Sequence, residues 1–523
     1  MTQGILSRLG FSSKSKKAVE NQVLNTVGYS GAVDKKQLAF DLFTHISYMA
    51  SMATAKASRD VMFSYAARLN LSSTPYFVDI NTLVNRLKYD YSQACRAIAD
   101  RSSNIHEVSS LLLRMSGSLS SGEDEEEFLT REAAVMAELY RAKYETDIES
   151  LRKWTDAYSA MIVSAGLIVV VSIISEMIWS LGPGMILMTG MVTMTVAIIG
   201  SWTIYLSAPK ESYTRTAGLS APNQKVALKL FQYLVPAGLV LALAVTVLAQ
   251  AQLGLGFIIL GLSLLPSGFM MNRDSRRLLR IDADIATATR MLGGVTDAIG
   301  TTVSDALGKV DRRSLASLEP YFRRLEVRVR SGITADRCWD HLILESGSEL
   351  MERTINIFWD ALTIGGNPLI TGKNAAFFSS EISLLREKRA LVAQTFGYLT
   401  IPLHAAMIGL LIFIVNVMQL FAQTMLSDTL DPNETGAPIP EIASSSGFNT
   451  FANVNFDFLN IIITAVVVVF TIANAVAPWA ASGGHRMRVG YQLGVMMVVS
   501  GVLMTAIPPI SRMIFATISA PAS

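Results

Sequence analysis

The chain has 523 residues, of which 51% are hydrophobic and only 16% charged; 44 basic and 42 acidic side chains leave a net charge of +2, and the mean hydropathy is +0.38. Soluble domains carry about 25% charged residues, so this composition excludes a disordered protein and argues against an ordinary soluble enzyme. A net charge near zero gives no electrostatic ground for a nucleic-acid partner.

From the N-terminus, Met1–Lys17 holds Ile5, Leu6, Leu9 and Phe11, but Arg8 interrupts any apolar core long enough for a cleaved signal peptide. The segment reads either as a frayed terminus or as a basic amphipathic stretch against a membrane surface. Beyond it, Leu83, Val84, Leu87, Tyr91, Ala94, Cys95 and Ile98 mark one helix face, and Val108, Leu111, Leu112 and Met115 mark another. No Lys or Arg occurs from Trp154 to Pro209, from Leu230 to Asn272, or between Arg389 and Arg486. A bilayer core about 30 Å thick needs about 20 apolar helical residues, and these gaps supply seven spans: Ala157–Leu181, Met185–Leu206, Phe231–Ala249, Leu253–Met271, Leu391–Phe421, Phe458–Pro478 and Tyr491–Pro508. Turns are expected at Gly182-Pro183-Gly184 and Gln250-Ala251-Gln252. Between spans four and five, Val295, Ile299, Val303 and Leu307 recur every four residues, while Leu342, Leu344, Leu350 and Ile355 are less regular. Neither polar region shows strand alternation.

The fold class is therefore an all-α polytopic membrane protein: about seven transmembrane helices with two repeated cytoplasmic helical-bundle domains, each large enough for a core of its own. The expected divisions are an N-terminal segment 1–40, a first helical domain 41–156, spans one to four in 157–272, a second helical domain 273–390, span five in 391–421, an outer loop 422–457, spans six and seven in 458–511 and a tail 512–523. Basic residues number 19 before the first span, 4 in Lys210–Lys229, 18 from Arg273 to Arg389 and 2 in Arg486–Arg488. On a seven-span zigzag, 43 of the 44 fall on one side, and only Arg512 on the other. The outer loop has no Lys or Arg and five acids, Asp428, Asp431, Glu434, Glu441 and Asp457. The positive-inside rule then predicts a multi-pass cell-membrane protein with a cytoplasmic N-terminus and an external C-terminus.

The two polar regions follow one plan. Leu119-Ser120-Ser121-Gly122 precedes a charged helix through Arg131, Arg141, Lys143, Arg152 and Lys153 into the span at Tyr158. Leu362-Thr363-Ile364-Gly365-Gly366 precedes Glu381, Arg386, Glu387, Lys388 and Arg389 and the span at Tyr398. Gly122 lies 36 residues before Tyr158, and Gly366 lies 32 before Tyr398, a match of pattern that reads as an internal duplication.

A helical bundle, a small-residue turn, a charged helix and an apolar hairpin, repeated once in about 500 residues, resembles the type II secretion system F family. Leu119–Gly122, Phe128-Leu129-Thr130-Arg131-Glu132-Ala133 and Tyr140-Arg141-Ala142-Lys143-Tyr144 look like that family's glycine turn and charged helix. The resemblance covers roughly residues 60–480. The outer loop, spans three and four and the length are most similar to the archaeal branch, the platforms of archaella and archaeal pili, with tight-adherence pilus platforms as relatives. The resemblance implies a non-enzymatic membrane hub. Its implied partners are a cytoplasmic hexameric secretion ATPase, pilin-like or archaellin-like subunits, membrane lipid and a second copy of the chain in a homodimer.

Catalytic chemistry finds no support in the motifs. Gly366-Asn367-Pro368-Leu369-Ile370-Thr371-Gly372-Lys373-Asn374 is closest to a phosphate loop, but its spacing is five residues rather than four and Asn374 replaces the magnesium-binding hydroxyl. No Asp lies within a span, so an intramembrane aspartyl protease is not expected. His404 has Ser neighbours, but Gly261-Leu262-Ser263-Leu264 lacks the small residue expected beside an exposed nucleophile; His404 reads as an interhelical hydrogen-bonding residue. His45, His106, His341 and His485 are scattered without metal-ligand spacing, so no metal and no cofactor are expected. Cys95 and Cys338 fall on the reducing side and read as packing residues. Asn433-Glu434-Thr435 reads as a glycosylation sequon.

A multi-pass transporter is the alternative. Glu176 is the sole acid in the spans, but it lies about five residues from the outer end of its helix, where a carboxylate reaches the interface. Pro236, Pro266, Pro402 and Pro478 sit near span ends, where broken helices would give weak support to a carrier.

Three polar features are candidates for partner docking. Glu123, Asp124, Glu125, Glu126 and Glu127 follow Ser120 and Ser121, which would cap a helix; the acids read either as a solvated helix start or as a contact for a basic partner. Arg312, Arg313, Arg323, Arg324, Arg328, Arg330 and Arg337 read either as a face for an acidic ATPase surface or anionic lipid, or as internal partners of Glu319, Glu326 and Asp336. Arg486-Met487-Arg488 reads as a topology anchor.

Overall fold

The computed structural model describes residues 35–179, 183–211, 213–215, 221–248, 252–429 and 456–519. Within them the chain is helical and forms no strand; one isolated bridge joins Thr214 to Ser348. Among the described residues, seven helices are long and apolar enough to cross a membrane, and each overlaps one of the seven spans expected from the sequence. The fold is an all-α polytopic membrane protein.

The chain divides into two compact units. The first holds the described residues up to Lys143 with Asp282–Ile343 and Leu350–Ile382; the second holds Tyr144–Ile281, Leu344–Glu349 and the described residues from Ser383 onward. The three longest helices are continuous through the division: α6 (Glu125–Trp179), α9 (Leu253–Ile299) and α14 (Pro368–Thr429).

The first unit is built around α1 (Lys35–Ala53), a helix that periodicity alone did not single out. Leu38, Phe40, Leu42, Phe43, Ile46, Tyr48, Met49 and Met52 are each at most 4% exposed, so this helix is covered on every side. Several of its buried polar residues are answered by distant partners. Asp41 takes Arg353 at 2.7 Å and the Ser72 amide at 2.7 Å, and Tyr48 donates to Asp360 at 2.9 Å. Phe43 meets Phe378 with ring centroids 5.0 Å apart, and Phe40 stacks on Tyr140 at 5.5 Å. Residues 35–143 and 282–382 therefore share one core, where the sequence reading assigns each polar region a core of its own. The reason is α1, which draws apolar and charged partners about 310 residues away.

Around α1 stand α2 (Arg59–Ala66), α3 (Thr74–Leu87), α4 (Tyr91–Arg101) and α5 (His106–Ser121). The single helix face from Leu83 to Ile98 is in fact two helices. Lys88 adopts φ +56°, and the Asp90 carboxylate caps α4 by accepting from the Ser92 amide at 3.1 Å. The four-residue repeat Val295–Leu307 is likewise interrupted, by Gly300 at φ +66°, so that α10 (Val303–Leu307) is separate. The unit continues with α11 (Glu319–Arg330), α12 (Ala335–Ser346) and α13 (Glu349–Thr363), α12 ending partly in the second unit.

The repeated plan is visible in backbone angles. Gly122 at φ +75° ends α5, and three residues later α6 starts; Gly365 at φ +94° follows α13, and three residues later α14 starts. The equivalent of Gly122 is thus Gly365 rather than Gly366, since only a residue without Cβ takes the left-handed turn cheaply.

The second unit adds α7 (Pro183–Ser207), α8 (Pro222–Leu243, extended by a π-turn Ala244–Leu248), α15 (Phe456–Ser482) and α16 (Val489–Ser519). Pro236, Pro266, Pro402 and Pro478 all lie inside continuous helices and break none of them. Helices α9 and α16 meet through glycines spaced by seven residues. A Cβ at Gly254 would stand 2.8 Å from the Gly501 carbonyl oxygen, one at Gly261 2.8 Å from that of Gly494, and one at Gly268 2.1 Å from the Tyr491 amide. Such contact lets backbones approach where apolar side chains gain nothing over lipid.

The N-terminal segment up to residue 34, Gly182, Gln250 and Ala251, the loop acids Asp431, Glu434 and Glu441, the Asn433 sequon and the end of the tail lie outside the described residues. Asp428 sits near the end of α14, and Asp457 is exposed in the first turn of α15.

Candidate functional site

The acidic run starts α6. Asp124 is the cap: its Oδ1 accepts from the Glu126 amide at 2.9 Å and the Glu127 amide at 3.1 Å. Ser120 and Ser121 do not cap; they donate back to the Gly117 and Ser118 carbonyls within α5. Glu125 pairs with Arg59 and Glu123 with Arg131. Three of the five acids are thereby engaged inside the first unit, leaving Glu126 half-buried and Glu127 exposed.

The arginine set separates in the same way. Arg312 opens the 3-10 turn Arg312–Leu315 with its side chain outside the described residues, and Arg313 and Arg337 are exposed. Arg330 pairs with buried Glu326 at 2.7 Å, and Asp336 accepts from the Trp359 indole at 2.7 Å. Arg323, Arg324 and Arg328 line one groove on α11 together with Glu319, Pro320 and Val327, with Arg324 over the Tyr321 ring at 4.9 Å. The structure thus brings three of these arginines together and takes a fourth into internal pairing.

Two polar constellations in the second unit were not singled out as sites from the sequence. On α14, Ile382, Leu385, Arg386, Arg389 and Ala393 are buried at three- and four-residue spacing, while Glu387 and Lys388 are exposed. Arginines thus occupy core positions. Arg386, 0% exposed, binds Glu211 Oε1 through Nε at 2.7 Å and Nη2 at 2.6 Å. Tyr144 donates its hydroxyl to Glu211 Oε2 at 3.0 Å, and the Tyr213 ring lies 4.8 Å from the Arg386 guanidinium carbon. Arg389, 1% exposed, donates from Nε to the Ala481 carbonyl at 3.0 Å and from Nη2 to that of Ala480 at 3.3 Å. It thereby ties α14 to the C-terminal end of α15. Its signal in the sequence is the apolar period of α14, in which positions 386 and 389 fall on the inward stripe.

The second constellation lies among the spans. Tyr158 donates to Asn474 Oδ1 at 2.7 Å; Asn474 Nδ2 meets His404 Nδ1 at 3.0 Å; His404 Nε2 meets Ser500 Oγ at 2.8 Å; and Ser500 meets Thr471 Oγ1 at 2.8 Å. Because Asn474 donates to Nδ1, the His404 proton sits on Nε2 and points to Ser500. All five residues are buried, and they join α6, α14, α15 and α16. This is the interhelical role expected of His404, and a fully satisfied network of this kind specifies one helix arrangement. Glu176 is buried, 7% exposed.

In the first unit, burial above all, with a smaller push from the Arg353 charge, drives His45 down to about 4 from its ordinary 6.5 against the opposing Ala66 carbonyl and Asp41. Its Nε2 donates to the Ala66 carbonyl at 2.9 Å, so Nδ1 accepts from Ser73 Oγ at 2.8 Å, and the ring stacks on Phe77 at 4.0 Å. Burial also pushes the Cys95 thiol up to about 12 and raises Cys338. Among the described residues, no group of three or more His, Cys, Asp or Glu side chains gathers as a metal set would.

Seven apolar helices and interhelical contacts made through glycines, one polar network and buried arginines define a multi-pass membrane protein. Within that class the chain is similar to Flagella accessory protein J of Methanocaldococcus jannaschii, 21% identical over 407 residues that cover 76% of this chain and 70% of the relative. It is also similar to Flagella accessory protein J of Methanococcus voltae, 22% identical over 427 residues that cover 78% and 73%. These relatives bear out the resemblance to archaellum platform proteins drawn from the repeated plan. No family model matches the chain, and no solved structure matches it.

Proposed function

We propose that this chain is the membrane platform of an archaellum-like or archaeal-pilus-like filament machine, working as a homodimer without catalytic chemistry of its own. It couples a separate cytoplasmic hexameric ATPase to the lifting of archaellin-like or pilin-like subunits out of the bilayer. The carrying observation is similarity to two flagella accessory proteins over about three quarters of the chain. Two further features support it. The 43 basic residues on one side support a cytoplasmic N-terminus and first unit and an external C-terminus. Helices α6 and α14 run unbroken for 55 and 62 residues from the polar unit into spans, as a mechanical coupling requires. The face offered to an acidic ATPase surface is the α11 groove at Arg323, Arg324 and Arg328.

The full chain in lipid nanodiscs is the right material for the test, because Asp282–Ile343 and Leu350–Ile382 belong to the same compact unit as α1. We expect it to retain a hexameric secretion ATPase encoded beside it, and expect Arg323→Glu with Arg324→Glu to abolish retention while leaving thermal unfolding unchanged. ATPase retention by neither form, together with substrate-dependent flux through the purified protein in liposomes, would replace the platform with the carrier.

A further inference from the structure

A cavity of about 90 Å³, several times the roughly 10–15 Å³ a single water requires, lies wholly within the second unit. It forms where α9 leaves its apolar stretch, α14 enters its own, and the turn between α15 and α16 closes. Tyr213, Asn272, Ser275, Arg276, Arg488 and Gln492 make its polar wall, and Ala393, Gly397, Ile401 and Pro478 its apolar one.

Positive charge around this cavity lacks a counter-ion. Arg276 and Arg389 both bear on Arg488 as like charges, and Arg488 has its Nε bonded only to the neutral Asn272 Oδ1 at 3.0 Å. Arg276 is exposed and makes no ion pair among the described residues. Glu211, the carboxylate that reaches Arg389 electrostatically, is already bonded by Arg386 and Tyr144. Asp274 is engaged by Arg277 at 2.8 Å and Gln224 at 2.9 Å. Moreover, Arg389 Nη1 and the Tyr213 hydroxyl are buried with no hydrogen-bond partner among the described residues. Buried Arg389, half-buried Arg488 and exposed Arg276 thus bring like charges together where a bridging anion would stabilise them, and the planar guanidinium fork matches phosphate oxygens.

We infer that this cavity binds the phosphate of an anionic phospholipid headgroup, with Arg276 and Arg488 as its ligands and the apolar wall along the lipid's glycerol and first methylenes. The source follows from position. The lining residues cluster at the ends of four apolar stretches on the side of the basic loops, which is headgroup depth, and half of the lining is apolar surface that a free phosphate does not use.

The test is native mass spectrometry of the purified full chain in nonionic detergent, titrated with phosphatidylglycerol, with phosphatidylcholine and with inorganic phosphate. We expect phosphatidylglycerol to be held about tenfold tighter than phosphatidylcholine, and each of Arg276→Gln and Arg488→Gln to weaken it about fivefold. Arg323→Gln, on the α11 groove, should leave it unchanged, and inorganic phosphate should not displace it. Arg276 is exposed, so Arg276→Gln decides the matter even where Arg488→Gln fails to fold. Equal binding of the two lipids, or wild-type retention by Arg276→Gln, overturns the site; displacement of the lipid by inorganic phosphate at equal concentration overturns the lipid as its source.

Discussion

Glu211→Gln keeps the shape of the side chain and removes one charge from a place where water cannot replace it. Arg386 is 0% exposed and the Glu211 side chain 3%, so the guanidinium would remain buried, 4.8 Å from the Tyr213 ring but without that carboxylate. Breaking one partner of a buried pair costs about 3–5 kcal/mol, whereas replacing both by apolar residues is often neutral. The double substitution Glu211→Leu with Arg386→Met should therefore recover most of the loss, minus about 0.5–2 kcal/mol for the cation–π contact over Tyr213. A double-mutant cycle read by equilibrium unfolding in mixed micelles measures this, with a coupling energy of about 2 kcal/mol or more expected. The solvent-exposed Lys153–Glu149 pair, at 3.7 Å, is the internal control and should contribute well under 1 kcal/mol. The buried pair should also hold its value as salt is raised, since burial shields it from screening. A loss below 1 kcal/mol for Glu211→Gln, or a double variant as unstable as the single, would refute the assignment of Arg386 and Glu211 as a desolvated pair.

Gly261→Ala should destabilise the α9–α16 contact by at least 1–3 kcal/mol, because the new methyl meets the backbone at Gly494 and Val498, which cannot yield; Gly117→Ala, with nothing within 4 Å, should stabilise its helix by about 0.5–1 kcal/mol, both read by unfolding midpoint. His45 imposes a pH dependence: its folded value near 4 lies below the unfolded 6.5, so the unfolded chain binds the extra proton and stability falls as pH drops from 6.5 towards 4. The loss approaches about 3 kcal/mol and should disappear in His45→Gln if measured as the slope of stability against pH. Cys95 and Cys338, buried and with raised thiols, should resist maleimide in the folded protein and label fully in denaturant. Asn474→Leu removes the centre of the Tyr158–Asn474–His404 chain and should cost about 1–3 kcal/mol, more than Asn416→Leu, whose amide bonds only within its own helix.

The seven spans were legible in the sequence. So was the repeat of a glycine turn followed by a long helix. These are local properties: the length of an apolar run decides whether it crosses a bilayer, and a glycine decides where a helix can turn left-handed. Local periodicity missed α1 and misjudged the breaks at Lys88 and Gly300, where a backbone angle outweighs an apolar pattern. What the tertiary structure alone decided is which distant residues answer one another. Asp41 and Arg353 lie 312 positions apart, Glu211 and Arg386 175, and Tyr158 and Asn474 316. In the sequence Arg386 and Arg389 look like charges on a solvated helix. Once folded, they are core residues, because the cost of burying a guanidinium depends on which carboxylate, carbonyl or ring the rest of the chain brings to it.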